Sequence, residues 1–340
     1  MKGASAGKPG EVQIIEFPDM QLEAGDIIVS PLACGICTTD VKMVQKGTKE
    51  KKYALGHELA GMVIETTPQS RWQAGQRVIV APYLPCGGCY FCLHNQQALC
   101  THLYDVTIYP GGLAENVYVP RALAERGVFA IPDHVPNVVA ALAEPVGCVL
   151  KGLEDSFYRY GNSVLVVGDG PMGLFTAAAA RVYGASPVIV AGMTPHRLEI
   201  AQAFFADIIV DITRENLISV VHEHTADRGA DIVMVAVSTA EALASGIEAV
   251  RPGGTVNAFA GVPEGSMVSL DIRKIHYGQF YLTGSSGVTP AHLEKALRLL
   301  SSKRMDFSQF ITAQFPFSDV AEAVAYADNR TGLKAMVTFE

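Results

Sequence analysis

Hydrophobic positions in this chain are arranged in two styles. Over the first third they form short strand-like runs, Asp26-Ile27-Ile28-Val29 and Gln76-Arg77-Val78-Ile79-Val80 among them, set apart by Gly and Pro. No long stretch there repeats with a helical period, so the pattern predicts an irregular β domain. From about Asn162 the style changes. The apolar run 163–167 precedes the Ala-rich helical stretch 174–183, and 187–190 precedes 197–205; the runs 231–237 and 254–260 follow. Strands alternating with helices read as βαβ units on a parallel sheet. The tail carries helical patterns at 292–301 and 319–327 and ends strand-like at 335–339, with no internal repeat and no low-complexity segment.

Length and composition narrow the function classes. A chain of 340 residues has room for two domains with substantial cores. Its 49% hydrophobic and 18% charged content is that of a globular protein rather than a disordered one. The net charge of −8 comes without a basic stripe, which argues against a nucleic-acid partner. The first seven residues lack the apolar segment of a secretory signal, and no apolar run is long enough to span a bilayer. A soluble cytoplasmic protein with no membrane partner is the expectation. Seven cysteines, odd in number and clustered, suit metal ligation in a reducing compartment better than a disulfide framework.

The run Val164-Leu165-Val166-Val167 leads straight into Gly168-Asp169-Gly170-Pro171-Met172-Gly173, a G-x-G-x-x-G opening a helical stretch. Gly168 permits the tight turn, Gly170 lets backbone approach a pyrophosphate, and Gly173 allows close helix–strand packing. The helix N-terminus offers free N–H groups to phosphate charge. These residues predict a dinucleotide site. The second strand should end in an acid for the ribose 2′-hydroxyl if the cofactor is NAD. Here it ends in Ala191-Gly192-Met193-Thr194, with His196 and Arg197 close behind. A missing carboxylate and a nearby cation favour NADP over NAD, unless Arg197 is only a solvated helix residue.

Two constellations have metal-ligand character. Cys86, Cys89, Cys92 and Cys100 follow C-x2-C-x2-C-x7-C, and four thiolates so close can wrap one tetrahedral Zn²⁺ with no open position, a structural site. An iron–sulfur cluster or free buried thiols are the alternatives. The second set is looser: Cys37, His57 beside Glu58, and Glu144 before Pro145. Cysteine, histidine and carboxylate with one position open is what catalytic zinc requires, although ligands this far apart cannot be paired by spacing.

In chain order, these motifs resemble the zinc-containing medium-chain dehydrogenase/reductase family, which includes alcohol, sorbitol and threonine dehydrogenases. The resemblance runs through GICTTD at 35–40, GHELAG at 56–61, AGQRV at 74–78, the four-cysteine lobe, GLAE at 112–115, AEP at 143–145, the glycine turn and LTGS at 282–285. It implies an α/β fold, with a doubly wound Rossmann sheet over residues 146–287 and a GroES-like irregular β catalytic domain built from 1–145 and 288–340. It implies two Zn²⁺ per chain. Cys37, His57 and Glu144 match catalytic-zinc ligands, Glu58 a carboxylate that exchanges with water on the metal, and Cys86, Cys89, Cys92 and Cys100 the structural lobe. Thr39 matches the hydroxyl that passes on the substrate proton, and Ser285 closes the cofactor domain. Cys34 reads as a packed thiol, and Cys148 as a less favoured ligand. One departure is Lys42, where many relatives have a proton-relaying histidine.

The implied activity is hydride transfer between NAD(P) and a small alcohol or ketone. The acidic third residue points to a secondary alcohol on a polyol, sugar or cyclitol. Lys46, Lys49, Lys51 and Lys52 could attract an anionic substrate, although a solvated loop is the simpler account. A zinc-free quinone or enoyl reductase is disfavoured by the ligands present. A dinucleotide-binding protein without turnover, or a simple-alcohol dehydrogenase, stands as the alternative. Family members form homodimers or homotetramers.

Overall fold

Strands form where apolar residues recur between turn formers, and in chain order they are β1 (Lys2–Ala6), β2 (Val12–Glu16), β3 (Ile27–Gly35), β4 (Glu58–Thr66), β5 (Arg77–Val80), β6 (Val117–Val119), β7 (Val128–Ala130), β8 (Val164–Val167), β9 (Val188–Gly192), β10 (Ile208–Asp211), β11 (Ala230–Val235), β12 (Val250–Ala258), β13 (Tyr281–Gly284), β14 (Ile311–Pro316) and β15 (Lys334–Thr338). The computed structural model describes residues 1–48 and 53–339. The chain divides into two compact units, Met1–Gly147 with Val288–Glu340, and Cys148–Gly287.

In the first unit one sheet runs β14-β15-β3-β4-β5-β7, with β6 also paired to β3, and β1 and β2 form a separate antiparallel pair. The β3–β4 register sets Gly35 opposite Glu58, and β15 sets Met336 opposite Gly35. That register brings three chain segments to one end of the sheet: the residues just after β3, the start of β4 and the start of β15. Packing behind them is apolar, from Cys34, Ile36, Val41, Leu55, Leu113, Val324 and Val337. Cys34 is fully buried there, as a packed thiol should be.

The second unit is a parallel sheet in the order β10-β9-β8-β11-β12-β13. Strands β8 and β9 are buried along their whole length, which is why β8 reads as an unbroken apolar run. The order reverses between β8 and β11, the switch point at which such sheets leave a crevice beyond the strand ends. Leu165, Ile189, Val233, Val235 and Val256 form the core.

The structure adds β10 and the helices Leu217–His224 and Ala240–Ala249 to the elements legible in the pattern. Their polar content, His222-Glu223-His224 for example, masks the period. Strand β12 begins at Val250, ahead of the expected 254, because the register against β11 skips from Val250 to Thr255 and the Pro-Gly-Gly segment is carried as an irregularity. Among the described residues no helix is long and apolar enough to cross a membrane.

Candidate metal and dinucleotide sites

Cys37 lies just beyond β3 and is the N-cap of the helix Thr38–Lys46, its Sγ accepting from the Thr39 N–H. The reciprocal half of this capping box is Asp40, whose Oδ2 accepts the Cys37 N–H at 2.9 Å. Its other oxygen accepts the Gly56 N–H at 2.9 Å and lies 3.8 Å from His57 Nδ1. One buried carboxylate therefore ties the cysteine loop to the histidine loop. Gly56 has to be glycine, since its φ is +89° and a Cβ would meet Leu113 and the Cys34 sulfur. The result is that Cys37 Sγ, a His57 ring nitrogen and a Glu58 carboxylate oxygen all lie within 4.8 Å of one another. Burial alone would push the His57 pKa down, but the negative charges of Asp40, Cys37 and Glu144 outweigh it and hold the imidazole well above its ordinary range.

Glu144, in the first turn of the helix Ala143–Asp155, is buried and outside that trio, although its charge acts on both His57 and Lys334. Thr39 is exposed, its Oγ1 3.7 Å from Cys37 Sγ. Lys42 and Lys46 are exposed on the same helix. Lys49, Lys51 and Lys52 lie outside the described residues.

Lys334 has no motif to announce it. It is 4% exposed, with Nζ 2.6 Å from both Glu58 oxygens and 2.8 Å from the Ile36 carbonyl. The hydrogen bond is made to Oε1; Oε2, though close, receives none in good geometry. A Cβ at Gly35 would fall 2.0 Å from that same oxygen, so the glycine leaves the space the carboxylate fills. A buried carboxylate oxygen short of donors, beside a thiol and an imidazole, is a donor set suited to Zn²⁺.

The cysteine lobe fits a metal more directly. The Sγ atoms of Cys86, Cys89, Cys92 and Cys100 all lie within 4.8 Å of one another, with Cys86–Cys92 at 4.0 Å and Cys89–Cys100 at 3.8 Å. A tetrahedron with Zn–S bonds of about 2.3 Å has sulfur–sulfur edges of about 3.8 Å. None of the four is in a disulfide. Backbone N–H groups of Gly88 and Cys89 point at Cys86 Sγ, and those of Cys86 and His102 at Cys100 Sγ. N–H donors from Cys92 and Thr101 lower Cys89 to about 5, whereas burial pushes Cys92 up to about 12.

In the other unit Gly168, at φ +121°, turns the chain out of β8, and Gly170 caps the helix Pro171–Val182. Pro171 occupies the first helical position, where no N–H is needed, and Met172 is half-buried beside it. A Cβ at Gly173 would lie 1.9 Å from the Gly168 carbonyl oxygen, whereas one at Gly170 would meet nothing within 4 Å. Gly173 serves packing, then, and Gly170 leaves open space for a ligand. At the end of β9 the structure corrects one expectation: Arg197 is buried on the helix Pro195–Phe204, so it does not stand at the surface to meet a 2′-phosphate. His196 is exposed. Gly192 is buried against Asp169, whose Oδ2 accepts the Met193 N–H at 3.0 Å and the Thr194 N–H at 2.7 Å. Ser285 donates to Asp155 and accepts from the buried Asn257.

Sequence reasoning missed Asp40, Lys334 and Asp169. Asp40 and Asp169 stood inside quoted motifs, and their signal was position: third in a helix, and between two glycines. Lys334 sat in an apolar run, Leu333-Lys334-Ala335-Met336, where a lone cation marks a buried partner.

Known proteins resemble this chain over nearly its whole length. The alcohol dehydrogenase GroES-like domain model matches residues 23–133 and the zinc-binding dehydrogenase model matches 171–302. L-threonine 3-dehydrogenase of Pyrococcus abyssi is 30% identical over 343 residues, covering 96% of this chain and 94% of that protein. Sorbitol dehydrogenase of Bacillus subtilis is 27% identical over 333 residues, covering 96% and 93%. A zinc-binding dehydrogenase from Sinorhizobium meliloti bound to NADP superposes with TM-score 0.89 at 26% identity, covering 99% of this chain and 98% of that one. An alcohol dehydrogenase from E. coli CFT073 complexed with NADH superposes with TM-score 0.88 at 25% identity, covering 100% and 99%.

Proposed function

This chain belongs to the zinc-type medium-chain dehydrogenase family, and from that premise we propose that it oxidises a secondary alcohol on a polyol, sugar or cyclitol, or reduces the matching ketone. It is a zinc-dependent oxidoreductase acting on CH–OH with a nicotinamide dinucleotide. The observation that carries the site assignment is the Cys37, His57, Glu58 trio within 4.8 Å. We assign the catalytic zinc to Cys37 and His57 with Glu58 or Glu144 as the acidic ligand, and a second, structural zinc to Cys86, Cys89, Cys92 and Cys100. Zinc held at the first site supplies Lewis-acid polarisation of the substrate oxygen.

The chain's own residues do the rest. Asp40 fixes Cys37 and the His57 loop before substrate arrives, the preorganisation that a reactive site requires. Thr39, exposed and next to Cys37, is placed to take the hydroxyl proton outward. Lys42 is exposed on the same helix and stands in water rather than in the buried site. The glycine turn and helix N-terminus receive the pyrophosphate. The expected preference for NADP leaned on Arg197, and its burial withdraws that support. A polyol-type substrate is supported by the acidic ligand set and by the likeness to sorbitol dehydrogenase.

Homodimer or homotetramer formation belongs to the same reading: β13 is the sheet's outer strand, and its Tyr281 and Leu282 are exposed. Free thiols throughout suit a reducing cytoplasm. Reduced-nicotinamide formation across polyols, cyclitols and simple alcohols, with NAD and NADP in turn, tests the activity. Turnover of one secondary alcohol, lost in Cys37→Ser while dinucleotide binding persists, supports the reading. Turnover unchanged in Cys37→Ser would overturn the catalytic-zinc assignment, and no turnover of any alcohol by zinc-loaded, dinucleotide-binding protein would mean that it binds dinucleotide without using it.

A further inference from the structure

We propose that Asp169 sets the cofactor choice of this chain, holding a carboxylate where the adenosine ribose docks and thereby selecting NAD(H) over NADP(H). The inference rests on the reading that the glycine turn binds a dinucleotide.

The position that usually carries the ribose-binding acid is the end of the second strand, about 20 residues beyond the glycine turn. In this chain that place is Gly192, the last residue of β9. A Cβ built there would lie 2.5 Å from Asp169 Cβ, 2.6 Å from its Cγ and 2.5 Å from its Oδ2. The Asp169 side chain thus fills the space that a side chain at 192 would use. Two acids, one at 169 and one at 192, cannot share it. The strand-end acid is not lost; it arrives from the first glycine turn instead.

The hydrogen bonds reinforce this placement. Oδ2 accepts the N–H groups of Met193 at 3.0 Å and Thr194 at 2.7 Å, leading into the helix Pro195–Phe204. Those two donors are what a 2′-phosphate would need at this corner, and a carboxylate already holds them. Both bonds end on Oδ2, so Oδ1 keeps its acceptor capacity for a ribose hydroxyl. A 2′-phosphate would instead face a fixed negative charge, with Arg197 buried in its helix. One unit charge a few ångströms from a phosphate in a half-exposed site amounts to on the order of a hundredfold in affinity.

Titration calorimetry of the whole protein with NADH and with NADPH tests the proposal without requiring turnover. Wild type should bind NADH on the order of a hundredfold more tightly. Asp169→Asn keeps an acceptor for the two N–H groups and removes the charge. It should lower the NADH/NADPH affinity ratio at least tenfold, mainly through tighter NADPH binding, with Tm unchanged. Asp169→Ser, which removes the charge with a smaller group, should move the ratio the same way and stands in if the first variant folds poorly. Wild type binding NADPH as well as NADH, or a ratio that neither variant moves, would overturn the assignment and leave Asp169 a loop-bracing residue. Wild type binding neither dinucleotide would overturn the cofactor reading itself, and this inference with it.

Discussion

Replacing Lys334 by Met tests whether the pair behind the catalytic site is a stabilising element. The substitution keeps side-chain length and removes the ammonium that sits 2.6 Å from Glu58, at 5% and 1% side-chain exposure. Unit charges 2.6 Å apart attract by about 6 kcal/mol at an effective dielectric of about 20. Desolvation of both groups offsets most of that while the pair is intact, so the intact pair contributes little net stability. Removing one partner is different: it strands a buried carboxylate, at a cost of about 3–5 kcal/mol. The Ile36 carbonyl also loses its donor. Trp72, the single tryptophan, lies in the unit that holds the pair, so its fluorescence reports the relevant unfolding.

In a unit of about 200 residues each kcal/mol moves Tm by about 2–4 °C, so Lys334→Met should melt roughly 10 °C lower. Adding Glu58→Gln removes the stranded charge, and the double variant should recover at least about 2 kcal/mol relative to the sum of the singles. Burial alone would lower the Lys334 pKa, but Glu58 more than compensates and the value is raised above its ordinary 10.5. A raised lysine contributes in full below its unfolded pKa and loses that contribution as pH climbs through the folded value. The gap between wild type and Lys334→Met should therefore stay constant across neutral pH and close only at strongly alkaline pH. A cost below about 1 kcal/mol, or single effects that simply add, would refute the reasoning.

Gly170→Ala should fold with unchanged Tm, because its Cβ meets nothing within 4 Å, yet lose at least tenfold in dinucleotide affinity by calorimetry; intact affinity would free the turn from pyrophosphate contact. Cys100→Ser should lower bound zinc from two to one per chain by elemental analysis and expose the 86–103 lobe to protease, whereas unchanged zinc content would sink the four-thiolate assignment. Burial alone would raise the Asp231 pKa, but hydrogen bonds from Ser163 and Arg251 outweigh it and hold the carboxylate below its ordinary value. A depressed carboxylate contributes stability above its unfolded pKa and loses it as pH falls through the folded one. Asp231→Asn should thus cost about 1 kcal/mol at pH 7, given the pair's partial exposure, and nothing at strongly acidic pH, as read by circular dichroism melts.

How far the sequence could be read depended on how local each signal was. The glycine turn and the cysteine lobe close within six and fifteen residues, so spacing alone carried their chemistry. Cys37 and His57 are brought together only by the β3–β4 register, which spacing cannot express, and they read as a loose set until matched to a family. Lys334 meets Glu58 across 276 residues of chain, and no local pattern points from one to the other. Arg197 misled because a helix N-terminal cation looks the same in sequence whether its side chain turns outward or packs inward; the fold buries it. Asp169 was passed over because the x of a G-x-G is normally unconstrained. Only the empty Cβ position at Gly192 gives its side chain a place to go.

The charge count at the end of the β3–β4 pair binds these pieces together. Asp40, Glu58 and Glu144 are buried at 1%, 1% and 8% exposure, and Cys37 adds a fourth charge when it ionises as a ligand. Among the described residues Lys334 is the buried ammonium whose pairing is seen here, and it is committed to Glu58. Buried carboxylates in excess of buried cations are unfavourable unless a further positive charge joins them. The upward pull on His57 is the same imbalance seen from the imidazole, with a proton drawn toward the negative charges around it. A divalent cation bound by Cys37, His57 and a carboxylate would meet that demand better than a proton, since it brings two charges and needs the imidazole neutral. Lys334 then has a defined part: by neutralising Glu58 from behind, it leaves the remaining carboxylates and the Cys37 thiolate as the excess that a divalent cation would largely offset.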